Sequence, residues 1–106
     1  MPKYLLQVSY TSEGAKGLMK DGGSKRRNAA RTLVESLGGK LEALYWAFGE
    51  SDVIAIADMP DNPSAAAASM TLAGSGAVKS RTTVLLTAED IDQASKKSGS
   101  YTPPGR

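Results

Sequence analysis

The turn between two apolar runs carries the most suggestive chemistry in this chain. Gly49-Glu50-Ser51-Asp52 separates "KLEALYWA" from "VIAIAD", and a tight turn requires the glycine but not the carboxylate of Asp52. A carboxylate and a guanidinium form a natural bidentate pair, and Arg26 is the arginine that we expect Asp52 to meet. Such a pair either ties a helix to a hairpin or forms one wall of an anion-binding pocket, and the sequence leaves both open.

The remaining candidate ligand-binding residues are spread along the chain: Tyr10, Lys16, Phe48 and Arg81. Tyr10 could donate a proton from the end of a strand, and Phe48 could line an aromatic pocket together with Trp46. Packing in a core or an interface is the alternative for these rings. Arg81 is either a solvated strand residue or part of a space between subunits.

Missing residue types narrow the chemistry further. The chain has no cysteine and no histidine, so we expect no disulfide, no thiol chemistry, no zinc site and no histidine-ligated haem. We predict no cofactor and no metal. The glycine-rich "SEGAKG" lacks the spacing of a phosphate-binding loop.

Charge is distributed unevenly, although the net charge is only +2. Residues 1–40 hold eight Lys/Arg against three Asp/Glu, whereas residues 41–95 hold two against eight. No strand interleaves aromatic and basic residues, so a nucleic-acid partner is not expected. No apolar run of membrane length and no signal peptide is present, so we expect no membrane partner and a cytoplasmic location.

Hydrophobic periodicity predicts one domain over residues 1–97 and a flexible tail over residues 98–106. Strands are predicted at 3–10, 40–48, 53–58 and 77–87. A short helical turn is predicted before a break at Gly22-Gly23, and Ser24 is predicted to cap the helix that follows. A further helix is predicted over 64–73 with Asp61 or Asn62 as its cap. A Thr87–Asp90 capping box is predicted to start a short last helix. The order βαββαβ predicts an α+β, ferredoxin-like sandwich with strand order 4-1-3-2.

This topology gathers the candidate residues at one rim of the sheet. The ends that meet there carry Tyr10, Lys16, Arg26, Phe48 and Asp52, and Arg81 lies two residues deeper on its strand. Arg26 precedes the apolar stripe residues Ala29, Ala30 and Leu33 by three, four and seven positions, so its side chain should point inward at the open end of that stripe.

Both faces of the predicted strands are apolar, which predicts a second copy of the chain. In the second strand, alternation would place one set of side chains on one face and a second set on the other: Leu41, Ala43, Tyr45 and Ala47 against Leu44, Trp46 and Phe48. Helices can cover only one face, and an exposed apolar face of this size is unusual for a monomer. We therefore expect a homodimer or higher oligomer, joined sheet to sheet.

The chain also resembles the GYD domain family over residues 1 to about 92. The matching segments are "PKYLLQVSYTSEGAKGL", an arginine early in the first helix, "LGGKLEALYWAFGESDV", "DMPDNPSAAA" and "SGAVKSRTTVLLT". The family is named for a Gly-Tyr-Asp triplet, and this chain departs from it with Gly49-Glu50-Ser51-Asp52. The resemblance implies a fold and an assembly like those of dimeric α/β-barrel proteins, and it implies no particular reaction.

Two functional hypotheses follow. The first is a non-enzymatic homo-oligomeric module that binds a small anionic or aromatic metabolite in the rim pocket. The second is a cofactor-independent enzyme of isomerase or oxygenase type, suggested by fold analogy alone. The second would need a base in the pocket, either Asp52 or a lysine with a lowered pKa.

Overall fold

The structure is a computed structural model that describes all 106 residues. Strands and helices follow one another in the order β1-α1-α2-β2-β3-α3-β4-α4. Their bounds are β1 Lys3–Tyr10, α1 Ser12–Asp21, α2 Gly23–Ser36, β2 Lys40–Trp46, β3 Val53–Asp58, α3 Asn62–Gly74, β4 Val78–Leu85 and α4 Ala88–Ser95. No helix of the chain has the length and apolar character needed to cross a membrane.

The strands form one antiparallel sheet in the order β2-β3-β1-β4, as the βαββαβ element order predicted. The central strand β1 pairs Leu6 with Ala55 of β3 on one side and with Thr82 of β4 on the other. This α+β arrangement is compatible with the predicted ferredoxin-like sandwich.

A bulge in β2 overturns the strict alternation that the sequence predicted for this strand. Leu41 pairs with Ala57, but the next pair is Ala43 with Ile56, so one extra residue stands between them. A bulge of this kind shifts the face on which later side chains lie. Leu41 therefore joins Leu44 and Trp46 on the helix side of the sheet, whereas Ala43 and Tyr45 lie on the opposite side.

The helix boundaries correct two further predictions. The segment after β1 is a ten-residue helix, α1, and not a short turn, because the Thr11 side chain caps it by accepting a hydrogen bond from the amide of Gly14. Ser24 does not cap α2 but lies inside it. The N-cap is Gly22, whose positive φ of 81° breaks the chain as predicted, and no side chain caps this helix.

The caps of the last two helices are confirmed. Asp61 accepts a hydrogen bond from the amide of Ser64 and starts α3. Thr87 and Asp90 form the predicted capping box, in which each side chain accepts from the backbone amide of the other residue. Residues 98–106 contain neither helix nor strand.

The core lies between the sheet and one layer of helices. Its side chains come mostly from β1 and β3, and α2 and α3 cover them with Val34 and Ala65. Helix α2 packs on β2 and α3 packs on β4. No element covers the other side of the sheet, which we call the outer face, and Tyr45 is 71% exposed there.

Helix α4 stands apart from this sandwich. None of its residues is buried, and it packs extensively on no other element. The radius of gyration is 16.9 Å, whereas a compact chain of this length would have about 13 Å. The longest dimension, 57 Å, reflects this projection, since the eight residues of β4 span only about 26 Å.

Candidate functional site

An apolar cavity of about 100 Å³ lies between the helix layer and the sheet. Strands β1, β2 and β3, with Val78 of β4, form its floor, and α2 and α3 form its roof. Arg26 is the only charged residue that lines it. The wall consists mainly of aliphatic side chains and two aromatic ones, among them Leu6, Val8, Leu33, Leu44, Tyr10 and Trp46.

Arg26 borders the cavity because of its position on α2. Ala30 and Leu33, four and seven residues later, line the cavity as well, so the predicted inward direction of Arg26 is confirmed. Ala29 is exposed instead, so the buried stripe is narrower than predicted. The Arg26 side chain remains 44% exposed, which gives its guanidinium access both to solvent and to the cavity.

The predicted Arg26–Asp52 pair is wrong. Arg26 Nη1 lies 3.5 Å from Oδ2 of Asp21 at the end of α1, and Lys25 Nζ lies 3.4 Å from the other oxygen of that carboxylate. Asp21 precedes Arg26 by only five residues, so the short connection through Gly22 supplies a nearer acid than the hairpin does. This single long contact leaves most of the guanidinium donors without a protein acceptor.

Asp52 closes the end of the sheet. The β1–β3 pairing ends at Val8 and Val53, and Asp52 extends it with its own amide, which donates to Val8 O over 2.8 Å. Its Oδ2 accepts from the amide of Tyr10, also over 2.8 Å. The carboxylate thus accepts the hydrogen bond that a backbone carbonyl of a longer β3 would have accepted from Tyr10. This role explains why an acidic residue stands directly before an apolar strand.

This role predicts the effect of replacing Asp52. Asp52→Ala leaves the half-buried Tyr10 amide without an acceptor and should lower the free energy of unfolding by about 1–2 kcal/mol. Asp52→Asn is the matched control, because its amide oxygen can still accept that hydrogen bond, and it should cost clearly less. Urea unfolding measures both. Recovery of the loss by adding Arg26→Met would contradict this interpretation, since it would mean that the cost came from leaving Arg26 without Asp52 as its partner.

Tyr10 and Trp46 form the polar part of the cavity wall. Trp46 Nε1 donates to the Tyr10 hydroxyl oxygen over 3.0 Å. The hydroxyl proton of Tyr10 has no acceptor within the chain, so Tyr10 can donate a hydrogen bond to a bound molecule. The ring of Trp46 packs beneath α2, where it would lie 3.6 Å from a Cβ placed on Gly23.

Neither Asp52 nor the remaining three candidates line this cavity. Lys16 is exposed on α1, and Arg81 lies on the outer face, opposite Gln7 of β1. Phe48 is 63% exposed, because β2 ends at Trp46 and the backbone of Phe48 adopts a left-handed conformation with a φ of 54°. Phe48 and Trp46 therefore do not share a strand face as predicted.

Sequence reasoning missed two features of the site. The aliphatic wall residues, such as Leu44 and Leu72, carry no signal that separates them from ordinary core residues. Asp21 could have been found, since only the short connection through Gly22 separates it from Lys25 and Arg26. No cluster of three or more acids or other metal-ligating side chains is present.

A four-stranded antiparallel sheet, one helix layer and a small cavity between them define an α+β domain with room for a small ligand. The model of the GYD domain family matches residues 4–95, which span nearly the whole of this architecture. The chain belongs to the GYD domain family. No curated protein and no solved structure gives a significant match.

Proposed function

We propose that this GYD domain binds a small hydrophobic acid in the cavity between α2 and the sheet. The apolar part of the ligand lies inside, and its anionic group lies on Arg26. The observation that carries this proposal is that a single cation borders an otherwise apolar cavity. Its guanidinium keeps free donors in the geometry that suits a carboxylate.

The dimensions and lining of the cavity restrict the ligand. Its volume is about 100 Å³, and an apolar cavity of about 150 Å³ in another protein holds benzene. Water is a poor occupant, because a buried water needs two to four polar partners and the wall offers few. A single ring or a short branched chain is therefore the best fit.

The two parts of the ligand contribute differently. Burying a ring of about 150 Å² at about 25 cal/mol per Å² contributes roughly 4 kcal/mol before the cost of association. A hydrogen bond to a charged group contributes about 1.5–3 kcal/mol. The cavity thus sets most of the affinity, whereas Arg26 decides between an acid and its neutral analogue.

Calorimetric titration with matched probes tests this proposal. Benzoate and phenylacetate serve as the acids, and benzamide and phenylacetamide as their neutral analogues. Arg26→Gln should weaken acid binding by about tenfold, the loss of one charge-assisted contact, and should change amide binding little. Arg27→Gln is the matched control, since Arg27 neighbours Arg26 and does not line the cavity.

Two results would overturn the proposal. One is equal binding of acids and amides by the unaltered protein. The other is an equal loss of acid binding in Arg27→Gln and Arg26→Gln, which would indicate a general effect of positive charge. Thermal unfolding of each variant separates a failure to bind from a failure to fold.

The second candidate function is a cofactor-independent enzyme of isomerase or oxygenase type. Neither Asp52 nor any lysine lines the cavity, so the bases considered from the sequence are not available there. The observation that favours this candidate is the Tyr10 hydroxyl group. Tyr10 lines the cavity, and its hydroxyl proton has no acceptor within the chain. NMR spectra of the ligand recovered after these titrations discriminate the two functions, because a binding module returns its ligand unchanged.

We also propose that the domain works as a homodimer or higher oligomer of dimeric α/β-barrel type. The support is the composition of the outer face. Alternate residues of the paired strands meet there, and its centre is apolar: Leu5, Ala43, Tyr45, Ile54 and Ile56. Another sheet of the same kind, packed face to face, would remove these side chains from water.

A further inference from the structure

The C-terminal arm, residues 86–106, leaves the sandwich with an acidic helix that has no partner. Glu89 and Asp92 are three residues apart on α4, so they lie on the same side of that helix. Neither carboxylate has a cation within ion-pair distance in its own chain. An isolated helix of eight residues is only marginally stable in water, so packing against another molecule would stabilise α4.

A complementary basic patch lies on the outer face. Lys79 and Arg81 project from β4 beside Ser9 and Gln7 of β1, and these residues line a groove of about 260 Å³ without any hydrophobic residue. No acid of the same chain pairs with either cation. The groove is therefore suited to carboxylates from elsewhere.

The acids at the opposite end of the outer face are already engaged. Lys3 Nζ lies 2.8 Å from Glu42 Oε2 and 2.9 Å from Asp58 Oδ1. Hydrogen bonds to Glu42 and then to Asp58 raise the pKa of Lys3. Glu42 and Asp58 thus have a partner in their own chain, which Glu89 and Asp92 lack.

Strand direction separates the arm from the basic patch of its own chain. Strand β4 begins at Val78, opposite Tyr10, and ends at Leu85, opposite Lys3. The basic patch lies near the beginning of this strand and the arm leaves from its end. If two sheets pack face to face with their strands running in opposite directions, the basic patch of one copy lies above the point where the arm of the other copy leaves.

We propose that the arm of each copy docks on the outer face of a second copy, with Glu89 and Asp92 at Lys79 and Arg81. This proposal rests on the sheet-to-sheet assembly proposed above. The contact is isologous, so a two-fold pair contains it twice. It adds charge complementarity at the margin of an apolar interface.

A charge exchange in the full-length chain tests the docking. Glu89→Lys with Asp92→Lys should weaken self-association by about tenfold, since each docked arm loses two ion pairs and gains like charges that repel. Lys79→Glu with Arg81→Glu should weaken it similarly. The quadruple variant should regain most of the affinity. Asp90 is left unchanged to preserve the capping box, and Glu13→Lys with Glu35→Lys, on α1 and α2, is the control.

Sedimentation equilibrium separates failure of the docking from failure of the assembly. A chain that stays monomeric at all concentrations would overturn the assembly and the docking with it. A stable oligomer whose affinity is the same in the arm variant and in the control would overturn the docking alone. Loss without recovery in the quadruple variant would also overturn it, because the two charge pairs would then not meet.

Discussion

Tyr45→Lys is expected to convert the proposed sheet-to-sheet assembly into monomers of 11.1 kDa. Tyr45 lies on the outer face, and its 71% exposure means that the single chain does not depend on its burial. In a face-to-face pair, a lysine at this position would be buried next to Ile54, its cross-strand neighbour, without a partner charge. Such burial costs several kcal/mol, enough to shift a dimer constant by a hundredfold or more.

Light scattering after size-exclusion chromatography measures this change, and thermal unfolding reports whether the fold is retained. Met19→Lys is the control, because Met19 is 86% exposed on α1, away from the outer face. An oligomer that survives Tyr45→Lys would show that the outer face is not the interface. Trp46 cannot serve for this test, since it lies beneath α2 and its loss would damage the core.

Gly14→Ala is expected to lower the free energy of unfolding by about 2–4 kcal/mol, whereas Gly17→Ala should raise it by about 0.5–1 kcal/mol. A Cβ on Gly14 would overlap the carbonyl oxygen of Ala77 and lie 3.0 Å from the Tyr10 ring. That carbonyl accepts from the amide and the hydroxyl of Thr11, at 3.0 and 3.1 Å. The extra methyl group would therefore separate α1 from the beginning of β4.

Gly17 is a matched control, since it lies one turn further along the same helix and a Cβ there would meet nothing within 4 Å. Denaturant unfolding compares the two variants directly. Equal effects at both positions would mean that helix propensity, and not the contact with Ala77, decides the outcome. Because Tyr10 lines the cavity, Gly14→Ala should also weaken binding of the acid probes.

Much of the fold follows from short-range rules. The strand order was predictable because the βαββαβ order and the handedness of crossovers leave few alternatives. The first residues of α3 and α4 were predictable because the side chains of the N-caps Asp61 and Thr87 accept hydrogen bonds from backbone amides in the first turn of each helix. The bulge in β2 was not predictable, since it depends on the pairing of β2 with β3. Glu42 is the extra residue between Leu41 and Ala43, which pair with adjacent residues of β3.

The site was predictable only in part, for a similar reason. The helical spacing placed Arg26 correctly at the open end of the apolar stripe. Its ionic partner was not predictable from the topology, because the choice between Asp21 and Asp52 depends on distances of a few ångströms at the joint between α1 and α2. The prediction that Phe48 lies in the pocket was wrong because of its backbone, since the left-handed conformation at the turn directs its ring away from the sheet.

The two sides of the cavity differ in mechanical stiffness. On the sheet side, Tyr10 is fixed by two hydrogen bonds. Its amide donates to Asp52, and its hydroxyl oxygen accepts from Trp46. On the helix side, α2 starts at Gly23 without a side-chain cap, beside ion contacts of 3.4 and 3.5 Å. We therefore expect a ligand larger than the cavity to displace the beginning of α2, and Arg26 would then move together with the anionic group that we propose it binds.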